Sequence, residues 1–179
     1  PLDSLEVGLR RTAQWAGQGR PHDLSNFLDL LIGRDNCDEL EGGCGADRSN
    51  EPGNQLAGVD FNWRLPKKFG SVYGQLIGED EAGYLPSRKV YQFGYKNNFN
   101  IGSLNVTSYL EYADTENEYA PNVTYNNSIY QTGYRTEGRS IGSTYDNDTE
   151  SLSLGLIALH KNGSKYKLRI SSVDMNADG

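Results

Sequence analysis

Apolar and polar residues alternate along most of this chain. In the first stretch, 5–15, Leu5, Val7, Leu9, Ala13 and Trp15 share one face, while Glu6, Arg10, Thr12 and Gln14 share the other; only Arg11 interrupts the apolar face. A period of two marks a β-strand, because successive side chains leave a pleated backbone on opposite sides. The pattern returns over 54–65, where Gln55, Ala57, Val59, Phe61, Trp63 and Leu65 oppose Asn54, Gly58, Asp60, Asn62 and Arg64. It predicts further strands at 71–78, 89–99, 103–113, 128–142, 151–161 and 165–173, about eight in all. In the last of these, Tyr166, Leu168 and Ile170 alternate with Lys167, Arg169 and Ser171. The turn before it contains Asn162-Gly163, a pair whose tolerance of positive φ suits a tight hairpin.

One segment breaks the period. Leu24, Phe27, Leu28 and Leu31 recur at helical spacing, with Asp23 or Ser25 available as N-cap and Gly33 as a stop. They predict a short helix inside a long loop, 17–53. If the strands form a membrane barrel, this helix belongs in the lumen or at the rim, since irregular backbone is not tolerated against lipid.

Strand length carries the next inference. Soluble strands are mostly about 5–6 residues long, whereas membrane strands need about 9–11. Only 36% of the 179 residues are hydrophobic and the mean hydropathy is -0.68, yet there are 12 Tyr and 21 Gly. A barrel wall has this profile, because each strand faces lipid on one side and water on the other. Tyr and Trp recur near strand ends, as in aromatic girdles. No apolar run approaches the roughly 20 residues of a membrane helix. The predicted class is therefore all-β: an antiparallel transmembrane β-barrel with one short helix in a long loop, residues 1–179 forming part of a single barrel domain. Pro1 stands close to the first strand and Asp178-Gly179 reads as a turn, so the chain is expected to be a piece of a larger barrel.

Several phrases, in order, resemble the Wzi-type capsule-assembly family. They are Arg11-Thr12-Ala13-Gln14-Trp15 with Gly19-Arg20-Pro21, then Gly53 through Asp60, then Tyr73 through Glu81, then Gly83-Tyr84-Leu85-Pro86. Tyr134-Arg135 and Gly138-Arg139-Ser140-Ile141-Gly142 follow, and Asp146-Asn147-Asp148 ends the set. The resemblance implies an outer-membrane barrel that attaches capsular or other surface polysaccharide to a bacterial cell. It implies lectin-like binding and no enzyme. Polysaccharide and outer-membrane lipid are the expected partners.

The chemistry is read with this in view. A net charge of -7 offers no basic footprint for nucleic acid. Glu79, Asp80 and Glu81 form an acidic cluster, but in a strand Glu79 and Glu81 share a face, which does not place two carboxylates across a sugar bond. They are expected as polar glycan contacts, together with Arg20, Tyr84, Arg135 and Arg139. The planar guanidinium fork suits acidic sugars and also suits lumen ion pairs. Cys37 and Cys44, in a Gly-rich acidic loop, are a candidate disulfide in an oxidising compartment. His22 and His160 do not complete a metal site with them, and no catalytic residue, metal or other cofactor is expected. Asp174, Asn176, Asp178 and Gly179 match the first half of a calcium loop, but a hairpin turn explains the same letters. A porin-like channel is the alternative, with an outer-membrane hydrolase or a soluble β-sandwich lectin behind it.

Overall fold

The computed structural model describes residues 4–32, 34, 51, 53–66, 69–78, 81–82, 85–86, 89–117 and 121–176. Its elements in chain order are β1 (Leu5–Trp15), α1 (Leu24–Leu31), β2 (Gly53–Arg64), β3 (Ser71–Gly78), β4 (Glu81–Ala82), β5 (Leu85–Pro86), β6 (Lys89–Ile101), β7 (Leu104–Asp114), β8 (Arg135–Thr136), β9 (Arg139–Ser140), β10 (Thr149–His160) and β11 (Lys165–Met175). Seven strands make one antiparallel sheet in the order β1-β2-β3-β6-β7-β10-β11, a meander in which every strand pairs with its neighbour in sequence. The pairs β4–β5 and β8–β9 are separate two-residue hairpins.

The alternation predicted these seven long strands. The exception is 128–142, which is a run of turns around the β8–β9 hairpin. Gly133 and Gly138 adopt positive φ, and so does Glu137 at the hairpin tip, so the chain turns back after two residues on each side.

The two faces of the sheet are chemically distinct, and the register shows how. One cross-strand row runs Leu5, Trp63, Val72, Tyr95, Leu110, Leu154, Ile170 through all seven strands without a charged residue. The row on the opposite face runs Glu6, Asn62, Tyr73, Gly94, Glu111, Ser153, Ser171. The apolar side chains do not pack into an interior. Leu9, Leu154 and Ile170 stand 86%, 51% and 62% open, and the fully buried hydrophobics of the described residues are few. A contiguous apolar face left open at this scale marks a surface meant for another apolar phase. No described helix is long and apolar enough to cross a membrane. Strands of 11 to 13 residues such as β1, β2, β6, β7, β10 and β11 are long enough to do so.

The connections are unequal. At one end the turns are short: 65–70, 102–103 and 161–164. At the other end lie 16–52, 79–88 and 115–148. In the last short turn the Gly163 N–H donates to the His160 carbonyl at 2.9 Å with Gly163 at φ 92°, as Asn-Gly predicted.

Helix α1 begins at Asp23, whose carboxylate accepts from the Asn26 N–H at 3.1 Å, and ends at Ile32. It sits at the rim on the apolar side of the sheet. Phe27 packs on Trp15 with ring centroids 5.1 Å apart. The Arg11 guanidinium donates to the Leu30 and Leu31 carbonyls at 2.7 and 2.8 Å, and the Gln55 amide donates to Leu30 at 3.0 Å. Trp15, Arg11 and Gln55 all project from the apolar face. The lumen placement that sequence left open is thereby excluded, and the charge that interrupts the apolar stripe of β1 has a purpose: it caps the unpaired carbonyls at the end of α1.

Candidate functional site

The polar face is bridged within itself. Arg10 pairs with Asp60 and Arg64 with Glu6, each diagonally across β1 and β2. The Tyr73 hydroxyl donates to Glu111 at 2.9 Å and the Gln75 amide to Gln92 at 2.8 Å. Two tyrosine rings lie over glycines directly opposite them. Any Cβ on Gly94 would fall within the ring of Tyr73, and any Cβ on Gly155 within the ring of Tyr109.

Over this face folds the connection between β7 and β10. Its base extends the ladder: the Thr115 N–H donates to Thr149 at 3.0 Å and the Asp148 N–H to Thr115 at 3.3 Å. Its centre is Tyr125, 3% exposed, stacked on Tyr134 with ring centroids 6.2 Å apart. The Tyr134 N–H donates to the Tyr125 carbonyl at 2.7 Å, and the Ser143 N–H donates to the Tyr125 hydroxyl at 3.2 Å. Arg135 ties the segment together. It donates to both carboxylate oxygens of Asp146 at 2.7 and 2.8 Å and to Asn126 at 2.6 Å. The end of β1 fastens it from outside: Gln14 donates to the Gly133 carbonyl at 2.9 Å and Tyr130 to the Ala16 carbonyl at 3.3 Å. Burial pushes the Tyr130 phenol up; the nearby Arg20 charge opposes that rise and Glu51 adds to it.

Asn122, Tyr125, Glu137, Asp146 and Asp148 hold φ between 46° and 68°. Side chains pay for left-handed backbone, so such a set persists only where its surroundings enforce it. Here the enforcing contacts are the Tyr125 core and the buried Asp148 carboxylate, which accepts from the Asn122 N–H.

Between this segment and the strands lies a cleft of about 290 Å³. Gln75, Gln92 and Glu111 line it from the sheet, Tyr145 from the segment and Arg169 from β11. Arg169 donates to Ser153 at 3.0 Å, reaches the Tyr145 hydroxyl at 3.4 Å, and holds its guanidinium 6.0 Å from the centre of the Tyr145 ring. An aromatic face beside amides, a carboxylate and a guanidinium can stack on a sugar ring and hydrogen-bond its hydroxyls.

Of the residues expected from sequence, Arg20, Arg135 and Arg139 come to this region. Arg135 is committed to Asp146 and Asn126, Arg139 stands exposed on β9, and Arg20 lies near Tyr130. Glu81 is placed by backbone only, opposite Pro86. Glu79, Asp80, Tyr84, Cys37 and Cys44 lie outside the described residues, as does the second half of the Asp174–Gly179 pattern. Tyr145 was not singled out by sequence; it sits in a turn with no strand period to flag it. Asp114, Glu116 and Glu150 bring one carboxylate oxygen each within 4.8 Å of one another, beside Tyr112, which donates to Glu150 at 3.0 Å.

A meander of membrane-length strands, open and apolar on one face and polar with a folded-in segment on the other, defines the wall of an outer-membrane β-barrel. The chain belongs to the family of capsule assembly protein Wzi, whose pattern it matches over residues 1–179. It is similar to a Klebsiella pneumoniae protein described as an uncharacterized 55.8 kDa protein in the cps region, with 45% identity over 118 residues, 64% of this chain and 22% of that protein. Its fold superposes on the solved structure of Wzi from Escherichia coli, with a TM-score of 0.77, 32% identity and coverage of 98% of this chain and 36% of that one. That protein is described as an outer-membrane protein involved in group 1 capsule assembly and a carbohydrate-binding β-barrel. The chain thus spans about a fifth to about a third of the length of these relatives.

Proposed function

We propose that this chain forms part of the barrel wall and a lumen-covering loop of a protein that holds capsular or related surface polysaccharide at the cell surface by non-covalent binding. One observation carries the reading: the 121–148 segment folds over the polar face and leaves a cleft lined by Tyr145, Arg169, Gln75, Gln92 and Glu111. The carbohydrate binding described for the similar Escherichia coli protein agrees with this chemistry.

Short turns of outer-membrane barrels face the periplasm and long loops face outward. The end bearing 16–52, 79–88 and 115–148 is therefore the extracellular one in this reading. Exposed Arg139 and the acidic stretch Glu79, Asp80 and Glu81 with Tyr84 are proposed outer contacts. Arg20, near Tyr130, is proposed as a further contact, while Arg135 acts on the glycan only by holding the loop. Retention of an intact polymer needs no catalytic pair, and the protein is read as a binder without enzymatic activity.

A loop folded over the polar face disfavours the porin-like alternative. The test is binding of purified capsular polysaccharide to the full-length protein in detergent, with polymer length and bilayer conductance followed in parallel. Binding without shortening, weakened roughly tenfold or more by Tyr145→Ala with Arg169→Ala, is expected, given the 1–3 kcal/mol of a stacked ring or charged hydrogen bond. Large steady currents without binding would overturn the reading in favour of a channel, and shortening of the polymer in favour of a hydrolase.

A further inference from the structure

The apolar arc of helix α1 is wider than the surface it packs on. At 100° per residue, Phe27 and Leu30 point one way and Leu24, Leu28 and Leu31 point about a right angle from them. Ser25, Asn26 and Asp29 occupy the far side. Phe27 and Leu30 meet the sheet: Phe27 stacks on Trp15, and Leu30, 3% exposed, presses on Gly53, where any side chain would collide with it. Leu24, Leu28, Leu31 and the following Ile32 stand 71%, 52%, 54% and 66% exposed.

The position of the helix gives this second face its occupant. Arg11, which caps α1, is the next residue on the apolar side of β1 after Leu5, Val7 and Leu9. The open leucines of the helix therefore continue the apolar band at its long-loop end. A helix lying there, sheet on one side and polar residues on the other, has the three-way division of an interfacial helix, whose apolar face lies in the acyl boundary. The Arg11 and Gln55 bonds to Leu30 and Leu31 satisfy the carbonyls that such a placement would otherwise desolvate.

We infer that α1 is an in-plane lipid anchor: Leu24, Leu28, Leu31 and Ile32 lie in the hydrocarbon of the outer leaflet, and the helix sets the depth of the loop end of β1 and β2. The inference rests on the apolar band facing lipid and is independent of how polysaccharide is bound.

The test places nitroxide labels on the full-length protein in phosphatidylcholine vesicles, with Cys37 and Cys44 replaced by serine. Leu28→Cys and Leu31→Cys report the helix, Ser25→Cys its polar side and Leu154→Cys the barrel band; heat-modifiable gel migration verifies folding of each. Expected is high oxygen and low nickel-complex accessibility at 28 and 31, as at 154, and the reverse at 25. Nickel accessibility at 28 and 31 equal to that at 25 would overturn the anchor, showing a face in water. Exclusion of both reagents there would overturn it too, showing cover by another part of the protein. If 154 itself reports water, the membrane reading of the sheet falls, and the anchor with it.

Discussion

Arg135 grips both carboxylate oxygens of Asp146 across an eleven-residue excursion that contains the whole β8–β9 hairpin. The Arg135 side chain is 18% exposed and that of Asp146 35%. The pair is thus neither fully solvated nor fully buried, and its two-point geometry is the favourable one for arginine and carboxylate. Because the contact lies within one loop, its loss should open the loop and leave the barrel folded. Arg135→Ala is expected to raise amide exchange over 121–148 about tenfold, the equivalent of about 1–2 kcal/mol for a hydrogen-bonded charged pair of partial exposure. Hydrogen-exchange mass spectrometry of the full-length protein checks this. Equal loosening of β7 and β10 would mean that the pair supports the sheet instead.

Gly155 gives a second prediction. The Tyr109 ring fills the position where its side chain would begin. Gly155→Ala should force the ring aside and destabilise the barrel by about 1–3 kcal/mol, the usual cost of overpacking. In the Tyr109→Ala background the same substitution should cost far less, so the double-mutant cycle should show strong coupling. Urea unfolding in vesicles measures it; additive costs would show that the ring moves freely out of the way.

These two relationships differ in how far sequence could reach them. Strand positions were legible because a sheet between two solvents must alternate, and the seven long strands fell within two residues of expectation. The short helix was legible for the same reason at a different period. What alternation cannot encode is pairing at a distance. Arg11 looked like a blemish on β1 because its partners, the Leu30 and Leu31 carbonyls, belong to an element folded back on the outside. Tyr145 and Arg169 meet across 24 residues, and the pairing of Arg135 with Asp146 spans the β8–β9 hairpin. The 128–142 stretch misled because alternating letters cannot tell a strand from successive turns whose residues take positive φ.

The division of the sheet into two faces makes a depth-dependent prediction. Leu154 lies near the middle of β10, in the row that crosses all seven strands without a charged residue. Leu154→Arg should cost about 2–4 kcal/mol in vesicles, the range for arginine near the bilayer midplane on a lipid-facing position. Asn98→Arg, on the polar face of β6 and exposed, should cost less than about 1 kcal/mol. Comparable costs at both positions would mean that the two faces do not meet different solvents.

The last prediction concerns pH and the start of α1. The Asp23 carboxylate accepts from the Ser25 hydroxyl, the Asn26 N–H and the Asn26 side chain, which together lower its pKa from 3.8 to about 2. A group whose pKa is lower in the folded state binds its proton more readily once the helix is undone. Its stabilising effect is therefore complete above the ordinary value of 3.8 and is lost as pH falls through about 2. The strands hold no part of this cap, so acid should fray α1 before it affects the barrel. A nitroxide on Leu31→Cys should gain mobility between about pH 4 and pH 2 while one on Leu154→Cys does not. Asp23→Asn keeps an N-cap acceptor without a titrating charge and should flatten that dependence, whereas Asp23→Ala should leave the label mobile at every pH. An unchanged pH profile in Asp23→Asn would assign the transition to another group.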